Sequence, residues 1–285
     1  MRSLLAACLL VGSFAAPTHA ETITEAARAI EAELGGRVGV ALRRQGSAAE
    51  FFGYRSSERF PLSSTFKAPL CGAILTLVDA GEDQLDRVVG YTSADLVTYS
   101  PVTETRVDSG MSVGELCEAT ITLSDNTAGN LLLERVGGPQ GLTEYLQAIG
   151  DETTRLDRWE TDLNEGTPGD PRDTTTPEAM VATLENLLFG EILSESSREQ
   201  LNAWMEADQV ADELLRASLP ADWIIGDKTG AGGYGSRSII AVIRRPHDTP
   251  WLAAVYLTEN EADMTTRNQA IARIGAAIVK EIAAP

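Results

Sequence analysis

The spacing of apolar residues predicts a helix and two strands at the start of the chain. Residues 21–34 carry apolar side chains three to four positions apart, which indicates an amphipathic helix. Residues 37–44 and 50–55 favour two strands that are separated by the turn Gln45-Gly46-Ser47.

The middle of the chain, from about 61 to 204, has a mostly helical pattern that polar loops interrupt. Helices are predicted over 120–136 and, around Pro177, over 176–188. The segment 156–176 has neither the helical nor the strand period of apolar residues, and it is rich in Asp, Glu, Gly, Pro and Thr. A stretch of this length without secondary structure is usually functional or disordered.

Strand patterns return near the carboxyl end. They are predicted at 223–228, 236–245 and 251–258, and a final helix over 265–282 is expected to begin at a threonine cap. The order of elements predicts an α/β protein of the α+β sandwich type. Its five-stranded antiparallel sheet is flanked by helices from both chain ends, with an all-α lobe inserted between them.

These patterns divide the chain into a leader and two lobes. An α/β lobe is expected from 21–60 together with 205–285, and an all-α lobe from 61–204. Residues 1–20 have the composition of a secretory signal peptide, with an apolar run and the sequence Thr18-His19-Ala20 at a cleavage site. We therefore expect export across the inner membrane to the periplasm. A lipoprotein site at Cys8 is the alternative, although the apolar run before it is short.

The balance of charges limits the classes of partner. Removal of residues 1–20 takes away one basic residue, Arg2, and leaves 22 basic against 42 acidic residues, a net charge of −20. Such a chain does not favour nucleic acid or an anionic membrane surface. No apolar stripe requires a partner subunit, so we expect a monomer. The mature chain keeps two cysteines, Cys71 and Cys117, which favour one disulfide, with two buried thiols as the alternative.

Scarcity of histidine excludes two kinds of site. The mature chain has one histidine, His247, in a turn-like segment between prolines. A Ser-His-Asp triad requires a histidine beside the nucleophile, and zinc sites usually require several His or Cys ligands. We expect no metal or cofactor, and a hydroxyl nucleophile must use a lysine or a carboxylate as its base.

Three short motifs contain two of the three lysines of the chain. Ser64-Thr65-Phe66-Lys67 is predicted to open a helix, which places the Lys67 amine within reach of the Ser64 hydroxyl. Ser124-Asp125-Asn126 read alone is a helix cap or turn, and Lys228-Thr229-Gly230 ends a predicted strand. Each motif alone also fits an ordinary surface element.

Together, the order and spacing of these motifs resemble the class A serine β-lactamases. The resemblance covers essentially the whole mature chain. The segment from Leu156 to about 174 resembles the Ω-loop of that family, with Glu160 and Asn164 as its catalytic pair. Arg158 and Asp173 match a pair that closes this loop, and Cys71 and Cys117 match a disulfide that many members have.

The resemblance implies hydrolysis of the β-lactam ring of penicillin-type antibiotics through an acyl-enzyme on Ser64. The amides of Ser64 and Ala231 would hold the oxyanion, and Ser124 would pass a proton to the leaving nitrogen. Either Lys67 or Glu160 would be the base for acylation, while Glu160, with Asn164, would activate the water that completes the reaction. The residues expected to contact substrate are Tyr99, Asn126, Lys228, Thr229, Gly230, Ser236 and Arg237.

Departures from the family pattern affect the interpretation. Pro69 lies inside the predicted nucleophile helix, so we expect a kink or a tight first turn unless it falls among the first helical positions. Thr161 follows Glu160 where many members carry proline, so a cis peptide there would be a non-proline one. The run Ala231 to Ser238 favours a penicillinase near the carbenicillin-hydrolysing branch, although that branch usually has arginine where Lys228 stands.

Two other classes of protein share the motifs. A penicillin-binding D-alanyl-D-alanine peptidase has the serine-lysine, serine-asparagine and Lys-Thr-Gly elements, and a penicillin-sensing receptor domain is acylated without turnover. Neither is expected to carry the Glu160 and Asn164 pair, and both are usually attached to a membrane. A non-catalytic exported protein with accidental motifs is the remaining alternative.

Overall fold

The computed structural model describes residues 21–284. The predicted signal peptide and the alternative lipidation site at Cys8 lie outside the described residues. Within those residues, no helix is both long enough and apolar enough to cross a membrane.

A five-stranded antiparallel sheet forms the centre of the molecule. The strands are β1 (Arg37–Arg44), β2 (Phe51–Tyr54), β3 (Ile224–Ala231), β4 (Arg237–Arg244) and β5 (Trp251–Thr258). Their order is β2-β1-β5-β4-β3, so strands from the two chain ends meet between β1 and β5. The predicted five-stranded antiparallel sheet is confirmed.

Helices cover both faces of this sheet. They are α1 (Ile23–Leu34), α2 (Lys67–Asp79), α3 (Val113–Thr122), α4 (Asn126–Arg135), α5 (Gly138–Ala148), α6 (Pro177–Phe189), α7 (Glu195–Glu206) and α8 (Met264–Ala283). The helices from the chain ends, α1 and α8, pack on one face, and the opposite face packs against α6 and the helices around it.

The middle of strand β4 is apolar at successive positions. Ile239 and Ile243 belong to the core beneath α1 and α8, whereas Ile240 and Val242 belong to the core shared with the inserted helices. All four side chains are fully buried. Successive side chains of a strand point to opposite faces, so a segment covered on both sides carries apolar residues at successive positions.

Two predicted helix boundaries are wrong. The helix predicted over 120–136 is interrupted, because Ser124 adopts a left-handed conformation with φ of 59° and Asp125 caps α4 by accepting a hydrogen bond from the amide of Ala128. The last helix begins after Asp263, whose side chain accepts from the amide of Thr266, and not at a threonine cap.

The nucleophile helix accommodates Pro69 at its start. Residues Ser63–Phe66 form a 3-10 turn, and Pro69 is the third residue of the α-helix that follows it. The first four N–H groups of a helix have no partner within the helix, so proline removes no hydrogen bond at this position. Pro69 therefore lies among the first helical positions, where no kink is required, and a 3-10 turn precedes the helix.

Candidate active site

The motifs that begin at Ser64, Ser124 and Lys228 meet at one cleft of about 440 Å³. Nine of the residues singled out in the sequence line it: Ser64, Tyr99, Ser124, Asn126, Asn164, Thr229, Gly230, Ala231 and Arg237. Val210 and Met264 also line the cleft, and no sequence motif marks either of them. Ser64 is 8% exposed, so its hydroxyl lies at the floor and not on an open surface.

Lys67 is fully buried beneath this floor. Its Nζ donates to Asn126 Oδ1 at 2.6 Å and to the Ser124 carbonyl at 2.8 Å, and it lies 3.4 Å from Ser124 Oγ. It also forms an ion pair with Glu160 Oε1 at 3.0 Å. Among the described residues Ser64 is not one of its hydrogen-bond partners. Burial lowers the pKa of Lys67, while the charge of Glu160 acts in the opposite direction.

Glu160 is held at three points. Its Oε2 accepts a hydrogen bond from Asn164 Nδ2 at 2.6 Å, and Lys67 pairs with the other oxygen. The side chain of Asn130, on α4, binds the backbone of Glu160 through its N–H at 2.9 Å and its carbonyl at 3.0 Å. The sequence analysis did not identify Asn130. The available signal was its position four residues after Asn126, which places both side chains on one face of a helix that faces the Ω-loop. The Glu160–Thr161 peptide is cis.

The Ω-loop is closed by a buried carboxylate. Asp173 Oδ2 accepts from Arg158 Nε at 2.6 Å, and its Oδ1 accepts from the amides of Asp157 and Arg158 at 2.7 and 3.0 Å. Arg158 also pairs with Glu165. The expected pairing of Arg158 with Asp173 is present, and it fixes the backbone two residues before Glu160.

Strands β3 and β4 place basic groups along the opposite wall. Lys228 is fully buried, and its Nζ donates to the Thr229 carbonyl at 3.1 Å. Burial lowers the pKa of Lys228 to about 8. Arg237 lies directly opposite Ala231 and donates to the Gly230 carbonyl at 3.1 Å and to Asn268 Oδ1 at 2.7 Å. Burial lowers its pKa to about 10.

Two residues expected at the substrate, Lys228 and Ser236, do not line the cleft. Ser236 Oγ is 2.9 Å from Thr258 Oγ1, and the side chain is 3% exposed and does not line the cleft. The Ser236 side chain therefore connects the start of β4 to β5 and does not form part of the cleft wall.

The cysteines form the predicted disulfide. Cys71 on α2 and Cys117 on α3 are bonded, with their Cα atoms 5.8 Å apart, and both are fully buried. His247 is exposed in a turn, away from the cleft. In the part of the chain from 21 to 284, no group of three or more His, Cys, Asp or Glu side chains is arranged to hold a metal ion.

Known proteins resemble this chain over most of its length. The model of the beta-lactamase enzyme family matches residues 21–282. An ancestral class A β-lactamase (GNCA) is 54% identical, over 91% of this chain and 99% of that one, with a TM-score of 0.89. The last common ancestor of the Gram-negative class A enzymes (GNCA4) is 53% identical, over 91% and 99% of the two chains, with a TM-score of 0.89.

PenP from Rhodopseudomonas palustris is 48% identical, over 90% of this chain and 98% of that one, with a TM-score of 0.88. Identity at this level over almost the full length of each relative shows the family as well as the fold. The chain belongs to the beta-lactamase enzyme family and, within it, to the class A serine β-lactamases, hydrolases that act on the β-lactam ring.

Proposed function

We propose that the protein hydrolyses penicillins in two steps, through an acyl-enzyme on Ser64 that a water activated by Glu160 releases. The observation that carries this proposal is the contact of Glu160 with both Lys67 and Asn164 beneath the cleft that contains Ser64. A carboxylate held in this way gives the second base that a peptidase or a penicillin sensor lacks.

In the first step, Ser64 Oγ attacks the lactam carbonyl and loses its proton. The amides of Ser64 and Ala231 stabilise the oxyanion. Because Lys67 Nζ and Glu160 Oε1 are 3.0 Å apart, a proton taken from Ser64 can pass between the two groups. The lactam C–N bond then breaks, and Ser124, 3.4 Å from Lys67 Nζ, gives its proton to the leaving nitrogen and receives the former Ser64 proton from Lys67 in its place.

In the second step, water attacks the ester. Glu160 removes one proton from the water, and Asn164 orients it. Asn164 Oδ1 suits this role, since it is buried and has no hydrogen-bond partner among the described residues. The new C–O bond forms as the Ser64 oxygen leaves, and that oxygen recovers a proton through Lys67.

Substrate orientation follows from the charges of the walls. Thr229 and Arg237 line the side of the cleft where a penicillin carboxylate would bind, and the buried Lys228 next to Thr229 adds a positive charge there. The Asn126 side chain, with the backbone of Gly230 and Ala231, would contact the amide side chain. Tyr99 is 54% exposed and forms the outer wall.

The space around Gly232 supports a preference for penicillins. A Cβ at this position would lie 2.7 Å from the Asn164 carbonyl and 2.8 Å from Ser63 Oγ. The β3 end therefore packs directly against the Ω-loop and leaves little room for the bulky side chains of extended-spectrum substrates.

We also propose that the mature enzyme begins near Glu21, is periplasmic and monomeric, and consists of two lobes. One lobe comprises 21–60 with 205–285, and the other comprises 61–204.

The test is to incubate the mature protein with benzylpenicillin and to measure turnover and intact mass. Many turnovers per enzyme are expected. Glu160→Gln should accumulate a benzylpenicilloyl adduct with turnover lowered about 10³-fold, since a general base contributes about 10²–10⁴-fold. Ser64→Ala should show neither adduct nor turnover.

Asp162→Asn, the same chemical change at an exposed position two residues along the Ω-loop, is the matched control and should turn over normally. A stable adduct on the unmodified protein without turnover would instead favour the peptidase or the sensor. Unchanged turnover in Glu160→Gln would remove Glu160 from the mechanism.

A further inference from the structure

A second cavity, of about 580 Å³, lies between the Ω-loop and the end of the sheet where β1 begins and β5 ends. It shares no lining residue with the catalytic cleft. We call it the arginine cavity, because its charged lining comprises four arginines and two carboxylates: Arg37, Arg59, Arg158, Arg172, Asp170 and Glu259. Such an excess of positive charge is unexpected in a mature chain whose net charge is −20.

Internal ion pairs account for three of these arginines. Arg37 pairs with Glu58 and Glu259 at 3.1 and 2.8 Å, and Arg172 pairs with Asp170 at 2.6 Å. Arg158 forms ion pairs with Asp173 and Glu165. Their side chains need no further anion to be neutralised.

Arg59 is different. Its guanidinium donates to Thr174 Oγ1 at 3.0 Å, and no carboxylate among residues 21–284 pairs with it. Arg59 lines the arginine cavity and also two adjoining hollows, of about 530 Å³ each. A guanidinium offers five N–H donors in a planar fork that matches phosphate and carboxylate oxygens. Most of these donors remain available to a ligand.

We propose that the arginine cavity binds a small polyanion, of the phosphate or polycarboxylate class, with Arg59 as its principal contact. The volume accommodates a ligand of this size, and Arg158 Nη2 and Arg172 Nη1, which donate no hydrogen bond among the described residues, add N–H donors beside Arg59. Two walls of the cavity belong to different parts of the chain. Arg37 and Arg59 precede the 3-10 turn that contains Ser64, whereas 166–172 belong to the Ω-loop.

Binding therefore connects the Ω-loop to the rest of the molecule. Arg158 lines the cavity and lies two residues before Glu160, so a bound polyanion restrains the segment that positions the catalytic carboxylate. Restraint of this segment is expected to slow exchange of the backbone amides of 166–172.

The experiment uses inorganic pyrophosphate and the mature protein, with chloride added to keep the ionic strength constant. Calorimetric titration and the shift of the melting temperature measure binding, and hydrogen exchange locates it. Arg59→Gln keeps a donor for Thr174 but removes the charge, so its affinity for pyrophosphate is expected to fall about tenfold or more.

Two control variants distinguish the site from other effects. Arg28→Gln removes the charge of another exposed arginine, which lies against the Tyr54 ring and not in the cavity, and should bind as the unmodified protein does. Arg237→Ala removes the basic group of the catalytic cleft and should also bind normally. Citrate, tested in the same way, shows whether carboxylates replace phosphate groups.

Several outcomes would overturn the proposal: no saturable binding, an equal loss in Arg28→Gln and Arg59→Gln, or loss in Arg237→Ala with binding retained in Arg59→Gln. If Arg59→Gln does not fold, as judged by its circular dichroism, Arg172→Gln on the exposed part of the Ω-loop replaces it and must weaken binding. Because these measurements need no hydrolysis, their failure is separate from any failure of the proposed function.

Discussion

Lys228 is the residue whose protonation is expected to set the alkaline limit of activity. Burial lowers its pKa to about 8, against an ordinary value near 10.5. The ammonium loses its charge as the pH rises through about 8, so under the proposed function it would attract the substrate carboxylate only below that pH. The charged groups around Lys228 that act on its pKa are Asp208, Asp227, Lys67 and Arg237.

We therefore expect kcat/KM for benzylpenicillin to fall above pH 8 by up to about tenfold per pH unit. Lys228→Arg keeps a charge at these pH values and should move the fall to higher pH. Initial-rate measurements between neutral pH and about pH 10 test this. The same alkaline limit in Lys228→Arg would assign it to another group, with Lys67 as the first candidate because burial lowers its pKa as well.

Asn130 positions Glu160 without contacting the cleft. Its two hydrogen bonds, of 2.9 and 3.0 Å, hold the peptide groups on both sides of Glu160. Asn130→Ala removes both, and the carboxylate is expected to move out of line with the ester. We expect kcat to fall about 10- to 100-fold, because small misplacements of a catalytic group have effects of this size.

A burst of product followed by slow turnover should accompany the change in Asn130→Ala, since acylation by Ser64 is less affected than deacylation. Asn186→Ala is the matched control, as its side chain donates one hydrogen bond to the Ile149 carbonyl outside the Ω-loop. If kcat for Asn130→Ala fell without accumulation of acyl-enzyme, its role would be in folding and not in positioning.

At the scale of elements, the disulfide joins the nucleophile helix α2 to α3. Cys71 and Cys117 are 46 residues apart, and closing a loop of that length stabilises the folded state by up to about 4 kcal/mol in the chain-entropy model. We expect reduction of the unmodified protein to lower the free energy of unfolding by about 2–4 kcal/mol, measured by urea unfolding.

Neither cysteine lines the cleft, so kcat/KM of the folded, reduced protein should stay within about twofold of the oxidised value. Cys71→Ala/Cys117→Ala, compared with and without reductant, is the control for effects of reductant elsewhere. A large loss of activity before unfolding would show that the disulfide positions the nucleophile turn as well as stabilising the fold.

The elements also show what local sequence can predict. The strands β4 and β5 begin and end within one residue of their predicted bounds, because burial on both faces requires a run of apolar residues. The break between α3 and α4 was not predictable in this way. It depends on Asp125, whose carboxylate binds the amides of Val102 and Thr103 at 3.0 Å each, contacts made more than twenty residues away in the sequence.

The cleft likewise contains residues that local sequence can indicate and residues that only the fold brings there. Ser64 and Ser124 could be indicated as candidates because the proposed chemistry requires hydroxyl groups within motifs of fixed spacing, and both line the cleft. Val210 and Met264 line the cleft through their place in the fold, and an apolar residue of either kind is ordinary in any sequence. Ser236 shows the converse, since the resemblance implied a contact with substrate, whereas its hydroxyl lies 2.9 Å from Thr258 Oγ1 and does not line the cleft.

At the scale of the whole molecule, the net charge of −20 opposes the compact state through self-repulsion. Twenty-one ion pairs in the described residues offset part of it, but partly exposed pairs contribute little each. Because added salt screens repulsion throughout the molecule, we expect the melting temperature to rise by a few degrees when sodium chloride is raised from about 0.01 M to about 0.15 M at neutral pH.

The pH provides the control for this effect. The sequence has an isoelectric point near 4.5, so the net repulsion at that pH is small and only the attractive pairs remain to be screened. Salt should then leave the melting temperature unchanged or lower it. A fall of the melting temperature with salt at neutral pH as well would mean that the ion pairs, and not the excess of carboxylates, dominate the electrostatic free energy of folding.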